Sequence, residues 1–147
     1  MPRFGSVSRS HLAGVDPRLQ KVLMKVIEVW DCTIIDGVRT VEEQRKNVAR
    51  GVSKTMASKH LPHGAAGLSL AVDVMPYPLD WNKIQLGINA IKRATGGMEA
   101  AEAYAFAGFV DGVAWAMGLN LRSGYDWNTN RQFEDQTFLD LPHHELR

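Results

Sequence analysis

Four of the five histidines in this 147-residue sequence come as two close pairs, His60 with His63 and His143 with His144. A carboxylate lies near each pair: Asp73 follows the first, and Asp140 precedes the second. Imidazole and carboxylate together make the ligand set of a catalytic zinc ion, which takes three protein ligands and keeps a position open. Hydrolysis at such a centre needs a further acid–base group to take a proton from the attacking water. The chain carries this inventory, but inventory alone does not choose between the members of each pair, because isolated histidines are common on protein surfaces. His11 stands apart and reads as structural or solvated.

These residues have to be positioned by secondary structure. Asp16 is a natural N-cap and Pro17 suits the first helical position. Leu19, Val22, Leu23, Val26, Ile27 and Trp30 then share one helical face. The β-branched run at Thr33-Ile34-Ile35 predicts a strand. Thr40 and Glu43 form a capping box that opens a helix to about Arg50. Residues 51–67 read as loop. Leu68 to Val74 alternates and predicts a strand carrying Asp73 at its end, stopped by Pro76 and Pro78. Asp80 caps a further helix with Trp81, Ile84, Ile88 and Ile91 on one face, broken at Gly96-Gly97. An Ala-rich helix follows from about Met98 to Met117, with Gly118 as its stop.

Two closing strands are predicted, Leu119 to Ser123 and Thr137 to Leu146, joined by the turn-rich stretch Gly124 to Asn130. The four tryptophans, Trp30, Trp81, Trp115 and Trp127, are expected mostly in the core. Strands and helices mix without strict βαβ alternation. The expected fold is therefore α+β, a small, mostly antiparallel sheet with flanking helices, in one domain over residues 1–147.

Composition removes several function classes. With 17 basic and 16 acidic residues the net charge is +1, which provides no electrostatic footprint for nucleic acid. No apolar run is long enough to span a membrane, so no membrane insertion is expected. Met1 to Ser6 lack an apolar signal core. The expectation is a protein that accumulates in the cytoplasm and needs another agent to release it. A single cysteine, Cys32, excludes internal disulfides and reads as a small buried hydrophobe.

Local contexts sharpen the inventory. Ser58-Lys59-His60, Ala71-Val72-Asp73 and Asp140-Leu141-Pro142-His143 resemble, in order, the signature of the zinc peptidases that include D-Ala-D-Ala peptidases and phage L-alanyl-D-glutamate peptidases. Arg39-Thr40-Val41-Glu42-Glu43-Gln44 resembles the family's Arg-Thr-x-Glu-x-Gln segment. Gly124-Tyr125-Asp126-Trp127 is similar to a loop common in phage members, and Phe138 to Leu146 to the phage-type ending. The resemblance runs from about Ser8 to Leu146.

It implies zinc held by His60, Asp73 and His143, with Asp140 as general base. Arg39 is implied as the stabiliser of the developing oxyanion and a substrate contact. Asp126 and Trp127 are implied as further substrate contacts, and Ser58 as a residue that orients His60. The step from His60 to Asp73 is longer than the family pattern, with the extra residues inside Leu61 to Leu70. His63 lies in that insertion and is the rival to His60. His143 is preferred to His144 because the Pro142-His143 step matches the family pattern, and neighbouring strand residues face opposite ways, so only one of the two can face the metal. Asp140 would also face away from His143 in an ideal strand, unless a bend near Pro142 brings both to one site.

The implied activity is a phage-type endolysin that hydrolyses the peptidoglycan stem peptide, acting as a monomer, most simply at the L-Ala–D-Glu bond. The alternatives are a D-Ala-D-Ala carboxypeptidase or dipeptidase on the same site, and a non-catalytic virion or wall-binding protein with this fold.

Overall fold

The computed structural model describes residues 1–78, 80, 82 and 98–147. Helix α1 (Ser6–Ala13) was not foreseen, since its sequence has little amphipathic pattern. Tertiary bonds to the first strand hold it: Ser8 Oγ accepts the Ile34 N–H at 3.2 Å, and His11 Nδ1 lies 3.2 Å from the Ile34 carbonyl. His11 is thus structural.

Helix α2 (Pro17–Val29) forms as expected, with Asp16 accepting the Arg18 N–H at 2.9 Å and Leu19, Val22, Leu23, Val26 and Ile27 buried. Strand β1 (Cys32–Asp36) follows, with Cys32 buried. Helix α3 (Val41–Ala49) carries both halves of the Thr40–Glu43 capping box. Strand β2 (Ala71–Pro76) sits slightly later than its alternation predicts. Leu68 instead pairs with His63 in an isolated bridge, which closes the insertion into a small turn that projects without displacing His60 or Asp73. The helix expected after Asp80 lies almost wholly outside the described residues.

Helix α4 (Met98–Ala116) packs against α2, β2 and the short strand β3 (Leu121–Ser123). It buries Ala103, Phe106, Ala107, Val110 and Ala114 at helical spacing. Trp115 corrects an expectation: its ring is 75% exposed on the outer side of this helix. The last strand, β4, covers only His143–Leu146, not Thr137 to Leu146. Residues 137–142 form irregular chain and a turn.

The sheet is antiparallel throughout, in the order β1-β2-β4-β3. Its register sets Asp73 opposite His143, Val72 opposite His144 and Ala71 opposite Glu145. Strand alternation then divides β4 between two faces. His144 and Leu146 turn toward α4 and the main core, while His143 and Glu145 turn to the other side.

Candidate active site

Asp73 and His143 meet because their strands pair at those residues. His60 arrives from the loop after α3, which is irregular but pinned. The Arg39 N–H donates to the His60 carbonyl at 2.8 Å, and the Leu70 N–H to the Lys59 carbonyl at 2.9 Å. Ser58 Oγ accepts the His60 N–H at 3.2 Å. Ser58 therefore shapes the turn that presents His60 and does not touch the imidazole.

Three atoms converge. His60 Nε2 lies 3.1 Å from Asp73 Oδ1, His143 Nδ1 lies 3.2 Å from the same oxygen, and the two ring nitrogens are 3.2 Å apart. Tetrahedral zinc, with bonds of about 2.0–2.1 Å, sets its ligand atoms roughly 3.3 Å apart, so the triangle has the edge length of that coordination.

The remaining ring nitrogens are already engaged. His60 Nδ1 lies 2.6 Å from the Gly37 carbonyl, which can only accept. His143 Nε2 lies 3.0 Å from Glu145 Oε2. In the neutral tautomers so fixed, both inward nitrogens present lone pairs to each other and to the Asp73 carboxylate. Three acceptors aimed at one buried point call for a cation. A proton is the smallest that serves. Burial opposes charge on His143, but its bonds to Asp73 and Glu145 raise its pKa to about 9. Burial likewise opposes charge on Asp73, yet His60 and His143 hold it ionised, far below the usual carboxylate range.

His63 does not join this cluster. Its Nδ1 lies 2.5 Å from the carbonyl of Leu61, two residues before it. Among the described residues the group able to hold a metal is His60, Asp73 and His143. His144 faces away and bonds Ser123 Oγ at 2.8 Å and Asp111 Oδ1 at 3.1 Å through Nδ1.

Asp140 lines the same cleft, of about 730 Å³, as the three candidate ligands. Its N–H donates to the Gly124 carbonyl at 2.9 Å, and its carbonyl accepts the His143 N–H at 3.1 Å. This turn through Pro142 is the bend that puts Asp140 and His143 at one site. Among the described residues the Asp140 carboxylate has no hydrogen-bond partner. Burial first, and then the negative charge of Asp73, push its pKa up to about 6.

Arg39 also lines the cleft. Its guanidinium is gripped by Asp36 through Nε at 2.9 Å and through Nη2, and by Gln44 Oε1 at 2.7 Å. Nη2 stands 3.7 Å from Asp73 Oδ2, the oxygen outside the triangle. Trp127 forms a wall, its ring 5.0 Å from that of His143 and stacked on Phe138 at 6.2 Å. Asp126 is not brought to this cleft. Its two carboxylate oxygens accept the Asn130 and Arg131 amides at 3.1 and 3.0 Å, so it organises its own loop.

Four contributors were missed in the sequence. Glu145 had a signal, since residues two apart on a strand share a face. Gln44 is fully buried and ties Arg39 to the loop through Ser53 Oγ at 2.8 Å and the Thr55 carbonyl at 2.6 Å. Gly37 and Gly124 are sites of close backbone approach. A Cβ on Gly37 would collide with the His11 carbonyl, and one on Gly124 with the backbone of Asp140.

Comparison with known proteins places the chain in a family. A family model described as phage L-alanyl-D-glutamate peptidase matches residues 1–147. The chain is 31% identical to the L-alanyl-D-glutamate peptidase of Escherichia phage T5, over 91% of this chain and 88% of that protein. Its fold is similar to that of the Serratia marcescens L-Ala D-Glu endopeptidase ChiX, with a TM-score of 0.60 and 20% identity, covering 99% of this chain and 90% of the other.

Proposed function

We propose, from the premise that the chain belongs to the phage L-alanyl-D-glutamate peptidase family, that it is an endolysin that hydrolyses the L-alanyl–D-glutamyl bond of peptidoglycan stem peptides with zinc held by His60, Asp73 and His143. The observation that carries the zinc reading is the triangle of His60 Nε2, Asp73 Oδ1 and His143 Nδ1, closed to 3.1–3.2 Å on each side, with the other nitrogen of each ring already bonded.

His60, Asp73 and His143 would hold the ion there, and when bound it would supply Lewis acidity toward the attacking water and the scissile carbonyl. Asp140 takes the water's proton. Its carboxylate lies in the cleft without a hydrogen-bond partner among the described residues, and burial beside Asp73 raises its basicity. The same carboxyl then returns the proton to the leaving amine. Arg39 contributes a fixed positive charge at the reacting carbonyl, kept rigid by Asp36 and Gln44. Trp127 and Phe138 wall the cleft against which the peptide lies.

We further propose that the enzyme acts as a monomer, accumulates in the host cytoplasm and reaches the wall through a separately made membrane lesion. Among the described residues no helix is long and apolar enough to cross a membrane.

Mass analysis of products from purified muropeptides tests the bond assignment. The expected products are muramoyl-L-alanine and a peptide with a free D-glutamyl amine. Release of terminal D-alanine would assign the chain instead to carboxypeptidase action.

A further inference from the structure

We propose that Arg122 and Glu145 form a positioning pair that holds His143 in its metal-binding tautomer and orientation, a role that rests on the zinc reading above. Glu145 divides its two oxygens. Oε1 accepts the Arg122 Nε–H at 2.7 Å and forms an ion pair with Arg122 Nη2 at 2.5 Å. Oε2 is left to accept the His143 Nε2–H at 3.0 Å. The proton is thereby kept on Nε2, and Nδ1 carries its lone pair into the triangle.

Arg122 and Glu145 are also direct partners across the β3–β4 ladder, and an ion pair there could serve only to clamp two short strands. Three features point beyond a clamp. Glu145 is only 4% exposed, and burying a carboxylate is costly unless it is paired. A clamp would be served equally well with Glu145 at the surface, whereas the buried position puts its second oxygen on a metal ligand.

Trp127 lies against both His143 and Arg122, 5.0 Å from the His143 ring and 5.5 Å from the Arg122 guanidinium carbon. It restrains the arginine by cation–π contact. Finally, the two histidines are braced differently. His60 leans on the main-chain carbonyl of Gly37, while His143 leans on a charged side chain, which fixes the ring and makes the ligand nitrogen more basic.

The test measures zinc affinity of the full chain by competition with a chromophoric chelator, alongside the visible spectrum of the cobalt-substituted protein. Glu145→Gln keeps the shape and removes the charge. It is expected to weaken zinc binding by about 10–100-fold and to alter the cobalt spectrum. Arg122→Ala leaves a buried carboxylate without its cation, so its fold is checked by circular dichroism. In the folded variant binding is expected to weaken in the same direction by less, and Arg122→Lys to restore part of it. Zinc affinity within about twofold of wild type in both Glu145→Gln and Arg122→Ala would overturn the proposal while leaving the zinc site intact. A wild-type chain that binds no zinc would overturn the zinc reading and the proposal together.

Discussion

At the residue scale, Asp140 is the side chain whose protonation state the proposed reaction depends on most directly. Its carboxyl is pushed up to about 6 by burial and by Asp73, and it must be ionised to take a proton. Activity therefore falls as pH drops through that value. Because a zinc ion nearby lowers the pKa of any carboxyl, the acid limb of kcat/KM lies at or below about 6. In Asp140→Asn we expect kcat to fall by at least about 10²-fold, that acid limb to disappear, and the zinc content to stay unchanged. Loss of zinc in this variant would show that Asp140 helps to hold the metal.

The candidate ligands were legible through the family resemblance, which picked His60 and His143 from pairs that residue type alone left open. Glu145 was passed over because a glutamate near a chain end looks solvated until its burial is seen. Asp126 illustrates the converse. An acid beside Trp127 in a loop resembles a substrate contact, yet backbone amides occupy both its oxygens.

At the element scale, the site depends on how few residues hold each piece. The β2–β4 register sets Asp73 opposite His143, and a turn from Asp140 to His143 adds the base. Gly124 holds that turn by donating its N–H to the His143 carbonyl and accepting the Asp140 N–H, each at 2.9 Å. Gly124→Ala would drive a methyl into the Asp140 backbone. We expect a loss of about 1–3 kcal/mol in stability and a larger fractional loss in kcat than in zinc affinity, checked by urea unfolding and chelator competition. Equal activity in Gly124→Ala would mean that the turn tolerates displacement.

Helices α2 and α3 were readable because caps and periodicity agree there. Helix α1 was not, because side-chain bonds to β1 stabilise it more than its own pattern does. The last strand was predicted too long because Pro142 ends the ladder and starts a turn, an effect that β-propensity along 137–142 does not show.

At the scale of the whole molecule, the sheet separates two buried polar clusters, and β4 contributes to both. The candidate metal triad lies on one side. On the other, Asp111 accepts bonds from Ser123 at 2.7 Å and Tyr125 at 2.6 Å and lies 3.1 Å from His144 Nδ1. Burial works against the Asp111 charge, but these bonds outweigh it and hold the carboxyl below its ordinary pKa. The unfolded chain binds that proton more readily, so the cluster contributes stability above the unfolded pKa and loses it as pH falls through the folded one. Asp111→Asn is therefore expected to destabilise the chain at neutral pH by about 1–3 kcal/mol, and its difference from wild type should shrink in acid. A difference constant with pH would show that Asp111 acts only by packing.

The α+β class and the antiparallel sheet were legible in the sequence. That His143 and His144 face opposite ways was legible from strand alternation, but the partner that His144 meets, Asp111 on α4, was not, since it depends on how that helix packs. The account rests on one ion in one triangle, and metal content tests it most directly. Purified wild-type chain should carry one zinc, retained in His63→Ala and His144→Ala and lost in His60→Ala and His143→Ala. Zinc kept by His60→Ala and lost by His63→Ala would contradict the account.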